Sequence, residues 1–279
     1  MKPPLFPVSS LRSLAVSGED ARRFLQSQLS SDLDQVTTTR GQLSAWHDPK
    51  GRVLAILRVL PQPEGLLLLL NAGLLPTVAQ RMQMFVLRAK VRLSPGPPVF
   101  ALPDAGHEAA GVLAGLVLES EPLSAGCTAT VSALRLPGRT GWLLAGELES
   151  AASPDAAAEA AWDRAEVETG LPEVYPETTG QFVSQMLNLD RIGAVSFTKG
   201  CYPGQEIVAR AHHLGRVKRR MRLFRTTGAP PAPGTSLAES RGTVVRAAAG
   251  DGACPVLAVV PEDSDGPFAL EDGRALTAA

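Results

Sequence analysis

Lys199-Gly200-Cys201-Tyr202-Pro203-Gly204-Gln205-Glu206 brings an ammonium, a thiol, a phenol, an amide and a carboxylate into eight residues. Core segments avoid such a mixture, because every buried polar group needs its own partner. Glycine tolerates positive φ and lets a ligand approach the backbone closely. The run therefore reads as a shaped turn that presents Cys201. Lys199, two residues away, can favour the thiolate by charge, and the thiolate is the form that attacks electrophiles or binds metal. The alternative is a surface turn holding an inert thiol.

Upstream, residues 181–190 (QFVSQMLNLD) carry mostly amides, including Gln181, Gln185 and Asn188. Amides donate and accept without charge, which suits a flat, neutral heterocycle better than a phosphate. Loop self-capping by Asn and Gln is the competing reading. Glu166 and Glu168 sit at a helix end just before Gly170, where a carboxylate opposes the macrodipole at a cost of about 0.3–1 kcal/mol. Facing an N–H/NH₂ edge, one of them would make two parallel charge-assisted bonds. A pterin or guanine presents that edge, and a solvated helix end is the plainer explanation.

Downstream the chain turns basic: Arg210, Arg216, Lys218, Arg219, Arg220, Arg222 and Arg225, with His212 and His213 between them and no acid. Interleaved aromatics are missing, so a base-stacking RNA surface is not indicated. The run could hold phosphates or a polyanionic tail, while Lys218 to Arg222 reads more simply as a basic edge strand protected from aggregation by charge. His212-His213 is a weak metal signal, since neighbours on a strand point to opposite faces.

The elements that must hold these groups follow from periodicity. Ser17 is placed to cap a first helix, with Asp20 three residues on and Ala21, Phe24, Leu25 and Leu29 on one face. A hairpin follows, Arg52 to Leu60 and Leu66 to Asn71, joined through residues 61–65. Pro76 suits the first turn of a helix with Val78, Met82 and Phe85 inward, and Val91 to Leu93 suggests a short strand. A second hairpin, Thr128 to Leu136 and Trp142 to Gly146, turns at Pro137-Gly138-Arg139. Ser153-Pro154 then opens a helix through Trp162 that ends at Gly170. Beyond Met221 short apolar runs alternate with Gly/Pro/Asp turns, and residues 228–234 form a loop between strands. A small terminal β-barrel or sandwich fits.

Composition sets the outer bounds. A chain of 279 residues exceeds one ordinary core, so two or three domains are expected. With 44% hydrophobic residues and net charge -1 it has no global bias toward nucleic acid or membrane. The longest apolar run, Leu66 to Leu70, is far below the ~20 residues of a membrane span. Met1-Lys2-Pro3-Pro4 lacks the apolar stretch of a secretory signal. Cys127, Cys201 and Cys254 form an odd set without C-x-x-C spacing, against both a disulfide framework and a self-sufficient zinc site. A reducing cytoplasm is the natural compartment.

Taken together, residues 181–190, 196–206 (SFTKGCYPGQE) and 207–210 (IVAR) resemble the YgfZ family, folate-binding proteins related to the aminomethyltransferase (T-protein) of the glycine cleavage system. The N-terminal Val16 to Ala21 with Phe24-Leu25-Gln26, and Asp48-Pro49-Lys50-Gly51-Arg52, fit the wider superfamily. The resemblance implies an α+β fold: two ferredoxin-like, aminomethyltransferase-type α+β domains plus a small C-terminal β-barrel, arranged as a ring around a central folate site. The matching divisions are 1–120, with room to interleave with the next, 121–212 carrying the motif, and 213–279. It also implies a factor that binds tetrahydrofolate or a derivative and assists iron–sulfur cluster assembly or repair; nothing in the sequence suggests an obligate oligomer, and a monomer is expected. Its partners would be iron–sulfur client enzymes or assembly factors, including those that thiolate tRNA, with no direct nucleic-acid binding.

Residue by residue, Glu168 falls where the T-protein's pterin-binding glutamate would lie, and Gln181, Gln185 and Asn188 would line the pocket. Lys199 and Cys201 fall on the functional motif, with a transient cluster contact at the thiol. Tyr202, Gly204, Gln205, Glu206 and Arg210 complete the implied folate-binding set. One departure separates the relatives: residues 71–77 (NAGLLPT) offer no carboxylate where the T-protein has a catalytic aspartate. Pro203 is a second departure, standing where the family more often has threonine or isoleucine, and it removes a backbone donor. An accessory factor is thus preferred over the alternative, a folate-dependent one-carbon transferase.

Overall fold

Five consecutive leucines, Leu66 to Leu70, are fully buried on both faces of one strand, which is why no alternation survives there. The computed structural model describes residues 5–103, 107–138, 140–148, 152–213, 215 and 217–279. Met1 to Pro4, Arg139 and Arg216 lie outside them. The leucine strand, Gly65–Asn71, sits at the centre of a five-stranded antiparallel sheet in the order Gln42–His47, Val53–Gln62, Gly65–Asn71, Leu11–Ser17, Arg92–Pro95. Pro61 pairs with Leu66 and Gln62 with Gly65, so the hairpin closes through Pro63-Glu64 alone. The loop is tighter than the five residues read from sequence, because strand pairing occupies polar groups that a wider loop would leave to water.

Helix α1 (Ala21–Gln28) buries Ala21, Phe24 and Leu25. Ser17 is not its cap. It ends a strand, and Asp20 occupies the cap position while its carboxylate accepts the Lys90 backbone N–H at 2.8 Å. Helix α2 (Leu75–Gln83) carries Pro76 in its first turn and buries Val78 and Met82. Phe85 lies past its end and is 49% exposed, because the helical spacing that would aim it inward stops at Gln83.

A second antiparallel sheet runs Phe6–Pro7, Val99–Pro103, Gly141–Gly146, Val131–Arg135, Ala125–Cys127. Helix α3 (His107–Ala114) packs against it. Helix α4 (Ala156–Glu168) is capped by Asp155, whose side chain accepts from Ala158 N at 2.9 Å, and the chain leaves it through Gly170. Both hairpin-then-helix units are therefore present. Helix α5 (Gln205–His213) leads into the third sheet.

That sheet runs Thr243–Ala247, Cys254–Pro261, Arg219–Thr226, Ala275–Ala278, Phe268–Ala269. Bridges from Ser236 to Thr243 and from Leu237 to Leu270 draw its two borders together as a half-barrel. Arg219–Thr226 is not an edge strand. It pairs with Cys254–Pro261 along its length, and on its other side Met221 N donates to Met186 O at 2.7 Å. The charges there do other work: Arg220 is buried and forks onto both Asp190 oxygens at 3.0 and 2.9 Å. One apolar core runs from the first sheet into the other two, with satellites around Trp142 and around Phe224 and Phe268. Among the described residues no helix is long and apolar enough to cross a membrane.

Candidate functional site

The cysteine loop enters α5 through Gly204, whose φ is +76°. A Cβ there would lie 2.5 Å from Asp48 O and 2.6 Å from the Gly51 Cα, so only glycine allows the turn at residues 48–52 to rest on the loop. Asp48 Oδ1 accepts from the backbone N–H of Lys50 and of Arg52, both at 2.8 Å, and Arg52 donates to Gln181 O at 2.6 Å. Two segments distant in sequence thus brace the motif from below. Cys201 itself is exposed, whereas Cys254 is buried and its thiol donates to Gly228 O at 2.9 Å.

Lys199 is buried, and its ammonium donates to the carbonyls of Gln26 at 2.6 Å, Leu29 at 2.7 Å and Ser31 at 2.9 Å. Three donors meet three acceptors. These are carbonyls at and beyond the end of α1, which lack intrahelical partners and favour a cation. Burial lowers its pKa to about 8, with Asp32 and Asp34 opposing the shift, so it stays protonated at pH 7. The lysine is thereby a clamp that ties the cysteine loop to α1.

Behind the thiol, the ammonium stands 5.4 Å from the centre of the Tyr202 ring, and His47 is 5.8 Å from that ring. Burial raises the Tyr202 phenol to about 12 and lowers His47 to about 4, the latter against an opposing pull from Asp48. His47 Nε2 and Ser184 Oγ are 2.6 Å apart. The Tyr202 hydroxyl, His47 Nδ1 and Gln185 Oε1 have no hydrogen-bond partner among the described residues.

The amides are largely committed to backbone. Gln185, buried, donates to Val208 O at 2.7 Å, and Asn188 donates to Met221 O at 2.8 Å while accepting from Arg220. They knit residues 181–190 to α5 and to the third sheet. Gln181 is exposed and donates to Glu177 O at 2.7 Å. Gln205 approaches Lys199 O at 3.5 Å, and Glu206 and Arg210 stand exposed one turn apart on α5. His212 and His213 lie on this helix rather than on a strand. Both rings pack on Phe197, with centroid separations of 3.8 and 5.9 Å. No group of three His, Cys, Asp or Glu among the described residues could hold a metal ion.

At the end of α4 the two glutamates part company. Glu168 is exposed, and Arg225 holds one of its oxygens at 3.1 Å. Glu166 is buried between Arg58 at 3.5 Å and Arg246 at 2.6 Å; Arg58 also pairs with Glu173 at 2.7 Å, and Arg246 with Asp163. Burial penalises both guanidinium charges, yet Glu173 and Glu166 more than offset it and their pKa values rise. The network links the first sheet, α4 and the third sheet. Glu166 Oε1 and donors of Arg58 and Arg246 lack a hydrogen-bond partner among the described residues. The acceptor and donors left without hydrogen bonds face one another inside a closed ion-pair network, and the exposed Glu168 carboxylate is the group whose chemistry suits the N–H/NH₂ edge of a pterin. Arg58 and Arg246 belong to none of the motifs that mark the other site residues. An arginine inside an apolar strand, as in Val53–Gln62 and Thr243–Ala247, was the available signal.

No family model matches the chain. It is 26% identical over 288 aligned positions to the tRNA-modifying protein YgfZ of Colwellia psychrerythraea, covering 95% of this chain and 87% of that protein. A protein of the same name from Yersinia enterocolitica is 28% identical over 236 positions, covering 80% and 72%. The crystal structure of glycine cleavage system aminomethyltransferase T from Bartonella henselae superposes with a TM-score of 0.73 at 18% identity, over 99% of this chain and 85% of that one. That likeness is one of fold.

Proposed function

We propose that this relative of the YgfZ proteins is a cytoplasmic folate-binding accessory factor for assembly or repair of iron–sulfur clusters. It would thereby support tRNA modification by enzymes that depend on those clusters. The observation that carries this reading is Cys201: its sulfur is exposed while Lys199, Tyr202 and Gly204 around it are clamped, buried or wedged. A thiol held open on a braced loop suits a transient bond to a partner's iron, sulfur or cysteine. Four-iron clusters take four cysteine ligands, so one exposed thiol favours transfer or repair over storage.

Glu168, exposed at the end of α4, would orient the pterin, with Arg225 sharing its carboxylate. Arg58, Glu166 and Arg246 form a separate buried network that anchors α4 to the first and third sheets. A bound tetrahydrofolate would supply a reduced pterin able to carry one-carbon units. Residues 71–77, which offer no carboxylate for the transferase reading, open with a turn in which Asn71 accepts the Gly73 N–H at 2.9 Å.

Two measurements test the reading. Titration with tetrahydrofolate, followed by tryptophan fluorescence or calorimetry, should show binding that Glu168→Ala weakens about tenfold or more, the size expected for a charge-assisted bond. Cys201→Ser should fail to restore a radical-SAM iron–sulfur enzyme in a deficient strain. Full restoration removes the thiol from the mechanism, and absence of folate affinity removes the cofactor.

A further inference from the structure

Six large apolar side chains are left exposed among the described residues, and three of them fall within four positions: Met84 at 64%, Phe85 at 49% and Leu87 at 86%. They occupy the turn after α2. Beside it opens a hollow of about 490 Å³, lined from α1 by Arg23, Phe24 and Ser27 and from the turn by Phe85 and Arg88. Such a concentration of apolar surface on one turn marks an interaction site rather than ordinary scatter.

Its charge is as distinctive. The whole chain carries net charge -1, yet the hollow's rim is basic. Arg23 and Arg88 outnumber Asp20, its one acid, whose carboxylate is turned to the Lys90 backbone N–H, and Glu19 nearby is paired with Lys90 at 2.6 Å. Arg81 is turned over the Trp46 ring. The side chains of Arg23 and Arg88 have neither an ion pair nor a hydrogen bond among the described residues, leaving two guanidinium forks free for carboxylates.

We propose that this hollow docks an acidic protein segment bearing one large apolar side chain, on an iron–sulfur protein that offers its centre to Cys201. The identity of that partner rests on the function proposed above. Location argues for it. Helix α1 is eight residues, about 12 Å, long. Arg23 and Phe24 border the hollow, while the Gln26 and Leu29 carbonyls at its other end hold Lys199, two residues from Cys201. The hollow and the loop that carries the thiol are thus joined through one short helix. Phe, Met and Arg are the residue types that anchor protein interfaces. RNA is the poorer fit, since Phe85 is the one exposed aromatic here and Met84 and Leu87 offer no plane for stacking.

The test uses the full chain with Phe85→Ser and Arg88→Glu, singly and paired, and a purified radical-SAM tRNA-thiolating enzyme as the probe. Each single change should weaken binding to that enzyme about tenfold, more so at low salt for Arg88→Glu, with thermal unfolding and folate affinity unchanged. In the deficient strain the paired variant should fail at native expression and recover when overexpressed, by mass action. Cys201→Ser should recover at neither level. If the paired variant restores fully while Cys201→Ser fails, the docking surface is wrong and the functional reading stands. If both restore fully, the functional reading falls and takes the partner's identity with it. If Arg88→Glu lowers affinity for bulk tRNA while Phe85→Ser leaves the enzyme's binding intact, the surface binds RNA and the proposal is overturned.

Discussion

The ammonium nitrogen of Lys199 donates to the carbonyl oxygen of Gln26 at 2.6 Å, so the loop carrying Cys201 hangs from the carboxyl end of the first helix. With Leu29 and Ser31 accepting the other two protons, no donor is left over. Lys199→Met keeps the aliphatic stem and leaves three carbonyls without this donor, at a cost of about 1–3 kcal/mol for each that water does not reach. The loop should loosen, and iodoacetamide should alkylate Cys201 at least as fast as in the wild type at pH 7. A tenfold slower alkylation would instead mean that the lysine's charge acts on the sulfur directly.

A second prediction concerns the buried network. Arg246→Met deprives Glu166 and Asp163 of their shared partner and leaves a buried carboxylate facing Arg58 alone. Breaking one member of such a set costs about 3–5 kcal/mol, whereas removing both members is far milder. Arg246→Met/Glu166→Leu should therefore be more stable than Arg246→Met by urea denaturation. Strict additivity of the two changes would show that the residues are not coupled.

Much of this architecture is legible in the sequence, and the failures have causes. Apolar spacing locates α1, α2 and both hairpins because each buries one face against a sheet. It fails at Phe85, where the helix ends two residues early, and at Lys218 to Arg222, where a neighbouring loop covers what reads as an edge. Periodicity carries no information about such long-range partners. The thiol's exposure follows from the polar, glycine-rich motif, but the acceptors of Lys199 lie about 170 positions away, and nothing local announces them. Glu166 and Glu168 look equivalent in sequence. Helical rotation alone puts one in a buried network and the other at the surface.

The last prediction is a pH dependence with a fixed sign. His47 is buried beside Ser184 and Tyr202, and burial lowers its pKa from 6.5 to about 4. The unfolded chain takes up a proton below pH 6.5 that the folded protein refuses until about pH 4. The unfolded state therefore binds more protons across that window, and stability must fall as pH falls through it. The loss attributable to His47 is about 2 kcal/mol at pH 5 and about 3 kcal/mol once pH 4 is reached. Carboxylates titrate mainly below this range, so urea midpoints measured from pH 7.5 down to 5 report on the histidines, and the difference between wild type and a His47 variant gives the share of His47. His47→Gln retains a hydrogen-bonding amide toward Ser184 but cannot titrate, and its midpoint should fall less over the same interval, by about the 2 kcal/mol assigned to His47 at pH 5. Parallel wild-type and variant curves would show that the imidazole is not the group responsible.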